Sequence, residues 1–293
     1  MKTILLPLWS AILIPFAPGH AATLLHDTWA DGSRAEQGLP AQSAWYASSA
    51  SSLSASAGSL VGTATSSSRM WLTYFADPGS VASLGVGETL KVSLDFTLQN
   101  VTAAPATSRG MRIGLYNWSE SALARQAADS FSTSGLGDQA TGYMLNMNVA
   151  QSFTTDNPIQ VLERTDVANA NLMGSTSQYT TLGSGGGKTG DPGFADGTPY
   201  TLELSVMRTA ADSVDITADF SSGTWHATYT ASDLAGAATA FDTLAIRVNK
   251  STDAAETFSF SRCKVEVVPE PGVLLLLGAG LAALKVSRNR RVR

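Results

Sequence analysis

The side chains best suited to chemistry in this sequence are four aspartates and two aromatic residues. Asp191-Pro192-Gly193-Phe194-Ala195-Asp196-Gly197 offers two carboxylates and several carbonyls in a Gly/Pro turn, and Asp27 with Asp31 forms a second acidic pair. Hard oxygen donors on loops suit calcium. Neither spacing matches an EF-hand loop, and Asp before Gly is also ordinary turn chemistry, so both readings stand. Trp118 follows a predicted strand end between Asn117 and Ser119, and Tyr179 lies in a Ser/Thr/Gln-rich stretch. Flat rings with a polar handle are the side chains on which a sugar face stacks. Burial in a core is the competing use of such rings, and it is the expectation for Trp29, Trp71 and Trp225.

Catalytic patterns are harder to find. Gly187-Lys188-Thr189 invites a phosphate-loop reading, but the Gly required five residues before the last Gly is Leu182. There is no Gly-x-Ser-x-Gly elbow and no His-Glu-x-x-His. His26 and His226 are the histidines beyond the first 21 residues, too little material for a Ser-His-Asp triad or a histidine-rich metal site. Glu203 and Asp215 lie on predicted neighbouring strands, a candidate carboxylate pair for glycoside hydrolysis. Their alternation places them opposite the apolar face, where solvated strand residues belong. No catalytic residue is assigned.

These residues need a frame, and the middle of the chain supplies one with period two. Leu90, Val92, Leu94, Phe96 and Leu98 alternate with polar residues, as do Tyr200–Val206 and Val214–Phe220. Further strands are predicted over Met70–Phe75, Met111–Tyr116, Tyr143–Val149, Gln160–Glu163, Thr224–Tyr229, Leu244–Val248 and Phe258–Val267. Strict alternation gives one buried and one wet face, the mark of antiparallel sheets. The expected fold is therefore all-β, an antiparallel two-sheet jelly-roll sandwich over residues 22–267. One helix is predicted, over Ser119–Ser130 with Ser119 as cap. The Ser/Ala/Gly-rich stretch from Ala47 to Ser68 reads as short edge strands, because Trp45 and Trp71 flank it. Gly183 to Gly190 reads as a loop. Cys263 is the sole cysteine; alternation puts it on the face of Ser259, Ser261, Val265 and Val267, as a buried thiol or an intermolecular bridge.

The two ends carry an address. Lys2, the apolar stretch Ile4–Phe16 and Gly19-His20-Ala21 make residues 1–21 a signal peptide. At the other end, residues 268–293 hold Pro269-Glu270-Pro271, an apolar run from Gly272 to Leu284, then Lys285, Arg288, Arg290, Arg291 and Arg293. A basic cluster behind an apolar segment acts as a membrane stop and holds that end in the cytoplasm. This order resembles the PEP-CTERM sorting signal of Gram-negative bacteria. The resemblance implies an exosortase as processing partner, a short C-terminal hydrophobic helix inserted transiently in the inner membrane, and a destination at the cell surface or in the biofilm matrix. The strand pattern of 198–267 and of Leu90–Tyr116, with the opening His26–Arg34, resembles concanavalin-A-like or laminin-G-like domains. The Glu-x-Asp-x-x-Glu strand of the glycanases among them is missing here.

Without Lys2, the five tail cations and Glu270, 13 cations face 23 acids, a net charge of about −10. That surface disfavours nucleic acid, which needs cationic contacts. The expected function is a non-catalytic, exported protein that contacts extracellular polysaccharide. A purely structural biofilm-matrix protein and a glycan lyase or hydrolase are the alternatives.

Overall fold

The computed structural model describes residues 21–35, 38, 42–103, 109–121 and 124–269. The expected signal peptide up to His20, Glu270 and Pro271 of the sorting motif, the hydrophobic helix and the basic end at Arg288, Arg290, Arg291 and Arg293 lie outside the described residues.

Alternating residues become strands almost throughout. The first half holds β1 Ala22–Asp27, β2 Trp45–Ala47, β3 Leu53–Ser56, β4 Ser59–Thr63, β5 Arg69–Tyr74, β6 Ala82–Ser83, β7 Thr89–Gln99, β8 Met111–Asn117 and β9 Thr141–Met147. The second half holds β10 Ile159–Arg164, β11 Tyr179–Gly185, β12 Tyr200–Ala210, β13 Ser213–Ser222, β14 Trp225–Asp233, β15 Ala240–Phe241, β16 Thr243–Val248 and β17 Thr257–Val268. An eight-stranded sheet runs β14-β13-β12-β7-β17-β4-β3, with β1 on the far half of β17, and a seven-stranded sheet runs β11-β10-β9-β8-β16-β5-β2. All of these pairings are antiparallel. β7 beside β17 and β8 beside β16 are neighbours distant in sequence, the crossover order of a jelly roll.

The two sheets bury one continuous apolar layer. Leu90, Val92, Leu94, Phe96 and Leu98 of β7 meet Ile113, Leu115, Leu145 and Val161 from the other sheet. Trp71 on β5 packs edge-on against Phe258 and Phe260 of β17, at 6.0 and 6.3 Å between ring centroids. Gly62 lies beneath that indole, where a Cβ would come within 2.3 Å of the ring. The stretch from Ala47 to Ser68 does form short strands, β3 at the sheet edge and β4 between it and β17.

Three expectations change. Residues 124–130 are irregular, and Trp118–Glu120 is a single 3-10 turn in place of the predicted helix. The buried Asp242 carboxylate takes the amides of Trp118 and Ser119 and binds Arg125, which holds this segment down as a strap. Gly183–Gly185 is strand, not loop. Tyr229 lies across it so closely that a Cβ on Gly183 or Gly185 would fall 2.1 or 2.2 Å from the ring or its hydroxyl. Finally, the β17 register shifts between Phe260 and Arg262. The bulge resets the alternation, so Cys263 joins the core with Phe258 and Phe260, and not the face of Ser259 and Ser261. The thiol is fully buried, and burial with Asp27 nearby pushes its pKa up. Pro269 follows β17 directly and has no N–H to extend the ladder.

Candidate functional site

The sequence-based sites fare differently once folded. Trp118 is 1 % exposed and packs edge-on against Tyr74; with no open ring face, it is not a sugar-stacking residue. Tyr179 is corrected for the same reason. It opens β11, is 8 % exposed, and its hydroxyl donates to the Leu172 carbonyl while meeting the Tyr116 hydroxyl at 2.8 Å. Burial raises the pKa of both phenols. The strap and the 165–178 loop drew these rings inside, which local sequence could not show.

The aspartates serve backbone amides. Asp191 accepts from Lys188 N at 2.8 Å and Asp196 from Val101 N at 2.7 Å. Asp27 is 2 % exposed and accepts from Trp29 N, while Asp31 accepts from Ser33 N. Desolvation, with the nearby Asp31 charge, raises the Asp27 pKa to about 6. Calcium takes six to eight oxygens, and among the described residues no three His, Cys, Asp or Glu side chains gather to hold a metal.

Glu203 and Asp215 do not form a pair either. Register puts Glu203 opposite Asp219, and Asp215 opposite Met207. Glu203 binds Lys91 at 2.7 Å, and Asp215 accepts from Ser232 Oγ. They belong to the outer face of the eight-stranded sheet, where Glu203 lines a shallow groove with Lys91, Thr217, Asp219, Thr228 and Glu266. Arg262 meets Asp95 at 2.8 Å and Lys264 meets Glu266 at 2.5 Å.

The outer face of the seven-stranded sheet is built otherwise. Met70, Leu72, Tyr74, Tyr116, Met144, Leu162 and Ala245 point outward and are roofed by Trp118, Leu136, Leu172 and Met173, a second apolar layer. Arg164, 3 % exposed, pins the roof by donating to the carbonyls of Gly137, Asn169 and Asn171. One row of this face is polar. Arg247 pairs with Arg112, Arg112 with Asn146, Asn146 with Gln160, and Gln160 with Ser184, across β16, β8, β9, β10 and β11. Side chains opposite one another on neighbouring strands have Cβ atoms about 4.5–5.5 Å apart, so the row is continuous. Arg112 donates to the Met173 carbonyl, and Asn146 Nδ2 reaches Gln160 Oε1 at 3.5 Å. Among the described residues, buried Nε of Arg112, Nε of Arg247 and Oδ1 of Asn146 have no hydrogen-bond partner. Arg112, Arg247 and Gln160 stay partly exposed. The row was legible only as isolated polar residues in strands; register alone assembles it.

A model of the PEP-CTERM protein-sorting motif matches residues 267–291. No curated protein sequence matches the chain. Among solved structures it is similar to peanut lectin with a nine-residue peptide, at 11 % identity and TM-score 0.46, covering 85 % of this chain and 98 % of that one. It is also similar to the VIP36 exoplasmic/lumenal domain in its Ca2+/Man3GlcNAc-bound form, at 13 % identity and TM-score 0.42 over 75 % of this chain and 84 % of that one. A lectin from Bauhinia forficata in complex with GalNAc gives 10 % identity and TM-score 0.43, over 80 % and 95 %. The chain is therefore an exported protein with a PEP-CTERM sorting motif behind an antiparallel jelly-roll sandwich.

Proposed function

We propose that this protein is a non-catalytic component of the cell surface or biofilm matrix whose sandwich contacts extracellular polysaccharide. The signal peptide over 1–21 starts export, the tail over 268–293 inserts transiently in the inner membrane, and an exosortase processes it at Pro269-Glu270-Pro271. The observation that carries the binding reading is the polar row Arg247-Arg112-Asn146-Gln160. Its Arg247, Arg112 and Gln160 are left partly exposed on a sheet face that loops otherwise cover. Amide and guanidinium groups in fixed positions hold sugar hydroxyls and carboxyls by hydrogen bonds. The likeness to lectins agrees with this reading without carrying it.

The test is binding of the exported protein to a panel of bacterial and plant polysaccharides, with and without calcium, while released sugar is monitored. Binding without release supports the proposal. Release of sugar replaces it with a lyase or hydrolase, and no binding to any polymer leaves a purely structural matrix protein.

A further inference from the structure

Arginine is the most reliably charged side chain, so its partners matter. Burial lowers the pKa of Arg112 and Arg247, and Arg112 lowers that of Arg247 further. Guanidinium nonetheless stays protonated in proteins. The two cations therefore stand opposite each other on β8 and β16. Among the described residues neither makes an ion pair. Like charges placed directly opposite are destabilising, and a partly buried cation without a counter-charge costs more than an exposed one. This happens in a domain with an excess of acids, where a carboxylate partner would have been easy to supply. On the opposite sheet, Lys91, Arg262 and Lys264 all have one.

We infer that Arg112 and Arg247, with Asn146 and Gln160 beside them, form a binding site for the carboxylate of an acidic polysaccharide. This rests on the reading that the sandwich contacts polysaccharide, and it names the chemical class. Guanidinium forks match a carboxylate with two parallel hydrogen bonds. Arg112 is oriented by the Met173 carbonyl, while Arg247 has no such anchor among the described residues. The unpartnered Asn146 Oδ1, on a residue 5 % exposed, accepts from a sugar hydroxyl next to that carboxylate. Gln160 extends the contact toward β11. The density of charge on the ligand follows from the whole domain. A net charge near −10 repels densely charged polyanions such as nucleic acid at long range. A glycan with one carboxylate per sugar ring engages the two arginines at lower cost.

The experiment compares polygalacturonate with its fully methyl-esterified form and with dextran, using the protein as the cell exports it. The expected result is at least tenfold weaker binding to the ester and to dextran. R112Q and R247Q should each lose about tenfold on polygalacturonate, a ratio equivalent to about 1.4 kcal/mol, while K91Q on the opposite sheet binds as the parent does. A second readout needs no variant: galacturonate oligomers should raise the thermal midpoint of the parent protein, and their methyl esters should not. Equal binding to acid and ester, with no midpoint shift, overturns the carboxylate site but keeps the polysaccharide reading. Loss of binding to every polymer overturns both.

Discussion

The two sheets of this protein begin from the same alternating pattern and treat their outer faces in opposite ways. On the eight-stranded sheet the outward residues are Ser, Thr and charged side chains in water, with Lys91–Glu203, Arg262–Asp95 and Lys264–Glu266 in contact. On the seven-stranded sheet the outward residues are mostly apolar and roofed by loops, and Arg164 under the roof donates to three loop carbonyls. Asp242, fully buried, takes Trp118 N, Ser119 N, Thr243 Oγ1 and the Arg125 guanidinium. The difference teaches where polar interactions matter: exposed pairs are worth little because water competes, whereas a buried group that loses its partner retains its desolvation cost.

The comparison can be broken first at Asp242. D242N removes the charge facing Arg125 and should cost about 3 kcal/mol in chemical denaturation; a cost below 1 kcal/mol would mean the strap is not anchored there. Next, R164M strips three carbonyls of their donor under the roof. We expect a loss of about 2 kcal/mol, with proteolysis beginning in the 165–178 loop.

Asp27 sharpens the contrast, because it belongs to the eight-stranded sheet yet faces inward. Its folded-state pKa of about 6 lies above the ordinary 3.8. The folded state therefore binds the proton more tightly, so the contribution of Asp27 to stability is greatest below about pH 4 and is lost as pH rises through 6. D27N should gain about 3 kcal/mol at pH 8 and nothing at pH 3.5, read from denaturation midpoints at the two pH values. A gain that does not vary with pH would show that burial of Asp27 carries no electrostatic cost. The smallest effect belongs to the open face: K91Q should move stability by less than about 0.5 kcal/mol. A larger loss would mean that outer face is covered in the working protein.

Much of the sandwich was legible because period two is a local signal. β7, β12 and β13 could be read residue by residue, and so could the short strands flanked by Trp45 and Trp71. Other features depended on partners far along the chain. Gly183 and Gly185 look like loop residues until Tyr229 is laid across them. Cys263 changes its companions because of one extra residue at the β17 bulge. Trp118 and Tyr179 carry the right chemistry for a sugar platform, yet the strap and loop that bury them are irregular segments with no periodicity to announce their course.

By itself, the sequence determined the address and the architecture: Pro269-Glu270-Pro271 with its apolar and basic followers is a linear signal, and alternation is a property of consecutive residues. Tertiary structure alone decided which polar residues meet. Arg112, Asn146, Gln160 and Arg247 lie on four strands, and only antiparallel register sets them in one row. Register is a relation between strands, fixed by the core they share, so no single stretch of sequence contains it.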